Sequence, residues 1–281
     1  MEVQKTMRDL MIILAATAGV FGMTAPAAAV EQIDISLTNR GFSPPFGEVG
    51  NSVAFAGTAN GTTVNVLASG WTATPDDNGG YTFAPSYMSR GLLGLGVTSA
   101  DELLTNGMFR FDRLDNLDGF DFVLFQFDQN VTISSAILND TSLLNGVRDN
   151  ESTVGVGMSS LSWDTMLDLS DAAVFDGLSI GFHDVARHLE ASPAVRPVVP
   201  FGVDGLAGNV WMIGANLHND DTVVRGNEAT PSYDAFNIQK LTVSTVAAVP
   251  EPASWALMLV GFGAAGMGLR RRSAARTKVL A

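Results

Sequence analysis

Short apolar runs alternating with polar residues fill the middle of the chain, punctuated by glycine, asparagine, aspartate, serine and proline. That rhythm predicts strands, because side chains on a strand point alternately to its two faces. Strands are predicted at 33–37, 52–57, 62–68, 107–112, 120–128, 131–138, 178–183, 210–217 and 236–246. The segment 120–127 reads FDFVLFQF and is apolar on both faces at its centre, as a central strand would be. Helices are predicted only at 100–105 and 184–191, and 192–200, with three prolines, reads as a long loop. Strands at this spacing predict an all-β domain over 30–243, a single antiparallel β-sandwich of jelly-roll type. Residues 244–249 (STVAAV) read as a linker.

The two ends break the pattern. Near the start, Lys5 and Arg8 precede a thirteen-residue apolar run, LMIILAATAGVFG. Small residues follow, with Ala27 and Ala29 where a signal peptidase reads them, so residues 1–29 are expected to be a cleaved signal peptide. Met1 and Met7 both fit as the start. Near the other end, Pro250-Glu251-Pro252 precedes an uncharged run of seventeen residues, 253–269. As a helix it would cover about 25 Å, at the short limit for a transmembrane span. Trp255 lies at one end, and Arg270, Arg271 and Arg272 at the other, ahead of a basic tail over 273–281. Interfacial indoles and retained arginines give the span one orientation, with both ends of the precursor cytoplasmic and the middle outside. The prolines stop a helix from continuing outward, leaving an extended peptide that a protease can bind.

Charge sharpens this division. The chain holds 16 basic and 29 acidic residues, but residues 30–250 hold nine and 26, a net of −17. Such a surface excludes nucleic acid as a partner, since phosphate binding needs a basic face. The absence of cysteine excludes disulfides, Cys-ligated metals and a thiol nucleophile.

The segment PEPASWALMLVGFGAAGMGLRRR closely resembles the PEP-CTERM sorting signal, in the variant with Trp255-Ala256 after the Pro-Glu-Pro. The motif, the glycine-rich run and the arginine cluster all match, over 250–272. The resemblance implies export by a Gram-negative bacterium through the Sec translocon and signal peptidase, and a transient stay at the inner membrane. It further implies processing by an exosortase, and a mature form at the cell surface or in an extracellular matrix rich in exopolysaccharide. By the same resemblance Pro250, Glu251 and Pro252 are the recognition motif. Gly94-Leu95-Gly96-Val97, the acidic stretch 112–121 and the apolar 122–127 loosely resemble ectodomains of this sorted class.

Four kinds of chemistry are weighed for the middle. Asp112, Asp115, Asp118 and Asp121 recur every three residues, and calcium is the ion that carboxylate oxygens in a flexible loop would hold. The EF-hand pattern fails there, because Leu114 would be the first ligand. Gly177-Leu178-Ser179-Ile180-Gly181 fits G-x-S-x-G, with Asp204 and His218 following in hydrolase order, but the expected strand-to-helix context is missing. His183 and His188 are five apart, the wrong spacing for two zinc ligands on one helical face. Trp71 and Tyr81 are the better candidates for a sugar-stacking platform, because polar and glycine residues surround them. The expectation is therefore a non-enzymatic surface or matrix protein. A carbohydrate-binding module and a secreted polysaccharide or ester hydrolase are the alternatives.

Overall fold

Alternation along each strand decides what is buried. In Gln32–Ser36 (β1), Ile33 and Ile35 are buried and the other three residues are exposed. The computed structural model describes residues 31–39, 48–77, 79–105, 113–117, 119–140, 151–185, 198–201, 205–217, 222–225, 228–231, 233–245 and 261–263. The chain divides between Glu31 and Gln32, and every strand belongs to the second unit.

The hairpin of β2 (Ser52–Ala59) and β3 (Thr62–Pro75) turns at Asn60-Gly61, with φ of 43° and 89°. Asn-Gly adopts this doubly positive turn at least cost, and its twist matches the strands. Next come β4 (Tyr81–Pro85), β5 (Tyr87–Gly91), β6 (Gly94–Thr98), α1 (Ala100–Thr105) and β7 (Leu114–Asp115). The long β8 (Phe120–Asp140), β9 (Ser152–Gly157), α2 (Ala172–Gly177) and β10 (Gly181–Val185) follow. The chain then forms β11 (Val198–Pro200), β12 (Gly208–Ala215), β13 (Thr222–Arg225), β14 (Glu228–Pro231) and β15 (Ala235–Thr245).

Thirteen of these strands join into one antiparallel sheet, with the central order β10-β9-β12-β8-β15-β6-β5, while β13 and β14 form a separate two-stranded ribbon. The expected jelly-roll sandwich is thereby corrected. Residues 120–128 and 131–138 are not two strands that could belong to facing sheets. They are one strand of 21 residues. The first part of β8 pairs with β3 and β12, and the second part with β15 and β11. The hydrogen-bond ladder thus passes unbroken from one half of the sheet to the other. The path ends at β10 and β5 without meeting itself, so the sheet is closed into neither a sandwich nor a barrel.

The expected transmembrane helix is corrected as well. Among the described residues no helix is long and apolar enough to cross a membrane. Within 253–269 only 261–263 is described, as helix, and the remainder lies outside the described residues.

Both faces of β8 are buried in its first part. Val123, Phe125 and Phe127 join Ile33, Val66 and Leu241 in the larger core, and Phe122 and Leu124 join Trp71 and Met212 in a smaller one. Each such side chain contributes about 1.5–3 kcal/mol by leaving water. Gln126 shares the second face and pins the connection crossing it. Its Nε2 donates to Thr165 O at 2.8 Å, and its Oε1 accepts from Leu167 N at 3.0 Å. Leu167, Leu169 and Leu178 pack beneath this connection.

Helix α1 falls where the sequence places it. Ser99 and Glu102 cap it reciprocally, with Glu102 N donating to Ser99 Oγ at 3.2 Å and Ser99 N to Glu102 Oε2 at 3.0 Å. The other expected helix does not begin at Asp184, because Asp184 and Val185 are the last residues of β10. The expected strand at 107–112 lies outside the described residues.

Candidate functional site

Six strands, in the order β4-β3-β8-β12-β9-β10, carry an open concavity. Register brings its residues onto one face. Ala73 pairs with Phe83 and Phe120, Phe122 pairs with Gly214, Gly214 with Thr153, and Met212 with Gly155, which faces Phe182. Because alternate residues share a face, Phe120, Phe122, Met212, Thr153 and Phe182 all project to the same side. They line, with Tyr81 and Phe83, a shallow cleft open to solvent.

Edge-to-face contacts fix the rings. Tyr81 and Phe120 have centroids 5.8 Å apart at 78°, and Phe83 and Phe122 6.0 Å apart at 89°. Phe83 also lies 4.4 Å from Phe175 of α2, which closes one end. Small residues make the remaining room: a Cβ on Gly155 would come within 3.2 Å of both Met212 Cβ and a Phe182 ring carbon. Tyr81 is 39% exposed and Phe182 44%, so the walls present ring surface to solvent. The other end is polar. Thr153 Oγ1 donates to Asp184 Oδ1 at 3.1 Å and accepts from Leu217 N at 3.1 Å.

Of the two expected sugar-stacking residues, Tyr81 is on this cleft and Trp71 is not available to it. Trp71 is fully buried, and its Nε1 donates to Ser69 Oγ at 3.0 Å. A ring without exposed surface offers no face for stacking, so Trp71 is a core residue. Trp211 is also buried, with Nε1 donating to Gly208 O at 3.1 Å.

Of the four aspartates, Asp115 and Asp121 are described, and they are neighbours, with the Asp115 backbone N–H on the Asp121 carboxyl. Asp115 accepts from Arg113 Nε on Oδ2 at 2.9 Å and from Leu117 N on Oδ1 at 3.1 Å. Asp121 is buried and accepts from Thr72 Oγ1 at 2.6 Å. Burial pushes its carboxyl well above the usual carboxylate range, and the charges of Asp115 and Glu102 add to the shift. The Thr72 hydroxyl and the Asp115 backbone N–H oppose it in part. Among the described residues no group of three or more His, Asp or Glu side chains is placed to hold a metal ion. Asp112 and Asp118 lie outside the described residues.

Ser179 does have the positive φ (50°) of a sharp turn, but α2 precedes it and β10 follows. That order, helix then strand, is the reverse of a nucleophile elbow. Asp204, His188 and His218 lie outside the described residues, and His183 is a half-buried residue of β10.

Phe83, Phe120, Phe182 and Thr153 were not singled out from the sequence. Their alternation was visible, but nothing in the linear order shows that β9 pairs between β12 and β10.

Past the end of β15 the chain reads VAAVPEPASWALMLVGFGAAGMGLRRR. Residues 248–272 match the PEP-CTERM protein-sorting motif. The PEP-CTERM motif marks a sorted, extracytoplasmic protein and implies an exosortase-type recognition partner. It covers Pro250, Glu251, Pro252, Trp255, Ala256 and the three arginines, all outside the described residues, as are Ala27 and Ala29. No curated protein and no solved structure matches the chain.

Proposed function

We propose that this is an exported surface or matrix protein with no catalysis of its own, whose tail is an address removed by an exosortase. The PEP-CTERM motif over 248–272 carries the reading. Chain chemistry supports it: proline at 250 and 252 denies the backbone two donors and disfavours helix, leaving the peptide accessible to a protease. The helix-then-strand setting of Ser179 supports the non-catalytic role. The β-rich part then resides among extracellular polysaccharide. Its acidic excess keeps it soluble and repels anionic polymer.

The test is a triple substitution, Pro250→Ala, Glu251→Ala and Pro252→Ala, expressed in a bacterium that has an exosortase. The wild-type chain is expected at the surface or in the medium, with the variant retained in the cell fraction. Equal distribution of the two would refute the reading.

A further inference from the structure

The last strand of the sheet runs almost to the sorting motif. Ser244 is paired with Gln32 on β1 and with Thr132 on β8, and Thr245 with Val131 on β8. Ser244 and Thr245, expected in the linker, therefore belong to β15, and only residues 246–249 separate the strand from Pro250. Whatever conformation those four residues take, the Pro250 Cα lies at most about 18 Å from the Thr245 Cα. Unpairing the strand end to lengthen the tether is opposed by Val243, which is fully buried in the larger core and would be drawn into water.

We propose that the exosortase-type partner docks against the end of the sheet where β15 stops, on the surface bearing Gln32, Gln129 and Asn130. This rests on the sorting reading and names the face on which the motif is presented. Reach carries it. A partner that seats Pro250-Glu251-Pro252 in a cleft is at least a small domain, about 30 Å across. That exceeds the tether, so the partner's bulk meets whatever surrounds Thr245. Register identifies those surroundings. Gln32 opens β1 opposite Ser244, Asn130 precedes Val131 on β8, and both are exposed. Gln129 donates from Nε2 to Thr63 O at 3.1 Å, which continues the same end onto the β2–β3 hairpin. These three amides offer hydrogen bonds without charge. Beside them Asp128 has both carboxylate oxygens engaged by Asn65, from the backbone N at 3.1 Å and from Nδ2 at 2.7 Å. The opposite end of β15 is out of the tether's reach. Ile238 pairs there with Leu95 of β6, seven residues and roughly 20 Å from Thr245, and Leu92 in the β5–β6 turn is 68% exposed.

The chain contains no cysteine, so one introduced cysteine can be labelled alone. Full-length chain from cells lacking an exosortase is prepared as Asn130→Cys, Gln32→Cys and Leu92→Cys, each checked by thermal midpoint. Each is coupled to a bulky polyethylene-glycol maleimide and incubated with a detergent extract of cells that have an exosortase. Mass spectrometry of the carboxy-terminus over time gives the processing rate. Adducts at Asn130 and Gln32 are expected to slow processing roughly tenfold, and the adduct at Leu92 to leave it unchanged. A Gly-Ser insertion of about twelve residues after Thr245, adding roughly 20 Å of reach, is expected to restore the Asn130 adduct to the unlabelled rate. Equal rates for all three adducts overturn the docking surface and leave the sorting reading standing, as does a slowing that the insertion fails to relieve. An unlabelled wild-type chain that the extract does not process overturns both.

Discussion

Thr72 donates its hydroxyl proton to Asp121 Oδ1 at 2.6 Å, and Thr72 Oγ1 also lies 2.7 Å from Ser86 Oγ. Asp121 is thereby tied to β3. The hydrogen bond from Thr72 is outweighed by burial and by the charges of Asp115 and Glu102, so the folded protein holds this carboxyl protonated above its usual range.

That shift has a signed consequence for stability. Below the usual carboxylate range, near pH 4, Asp121 is protonated folded or unfolded, and its contribution is fully present. As pH rises the unfolded chain loses the proton first, and the contribution is lost progressively until the raised folded value is passed. Asp121→Asn removes this dependence. The stability of wild type relative to Asp121→Asn is therefore expected to fall as pH rises from 4, measured by urea unfolding at several pH values. A difference independent of pH would contradict the assignment. Asp34 works in the opposite direction. The hydrogen bond from Lys240 Nζ at 2.7 Å lowers its carboxyl, so its smaller, solvent-screened contribution is present at neutral pH and lost on acidification.

Trp71 and Tyr81 are expected to behave differently despite their similar sequence surroundings. Trp71→Ala opens a cavity in the smaller core and should cost about 3–5 kcal/mol. Tyr81→Ala trims a side chain already 39% exposed and should cost less than about 1.5 kcal/mol. Denaturant midpoints with unchanged slopes check both values.

Gly94 begins β6 with φ of 117°, and a Cβ placed there would overlap the carbonyl oxygen of Ile238 on β15. Only a residue without a side chain lets the two strands meet at Leu95 and Ile238. Gly94→Ala is expected to destabilise by at least about 2 kcal/mol. The same substitution at Gly61, also at positive φ but with nothing within 4 Å, should cost less, and a paired thermal melt compares them.

The strands that alternate cleanly were legible from the sequence. Ile33 and Ile35, and the two-sided 120–127 segment, lie where the pattern places them, as does the capped helix at 100–105. The architecture was not legible, because Asn130 reads as a turn signal between two strands. Yet Gln129 Nε2 donates to Thr63 O at 3.1 Å, and β8 continues through 130 without a break. The short β4, β5, β6 and β9 escaped because tyrosine, glycine and serine in them give no strict alternation. The cleft was half visible: Tyr81 stood out among polar neighbours, whereas Phe182 belongs to it only through the pairing of β10 with β9. Trp71 looked equally exposed in sequence, but the fourteen-residue β3 carries it under the second core.

The tail remains the decisive element of the account. Intact-mass spectrometry of the protein recovered from cells with an active exosortase, and from the same cells without it, tests it most directly. The account predicts a carboxy-terminus within 250–253 in the first case and retention of the residues through Arg272 in the second. Identical masses that include Arg270–Arg272 in both would contradict it.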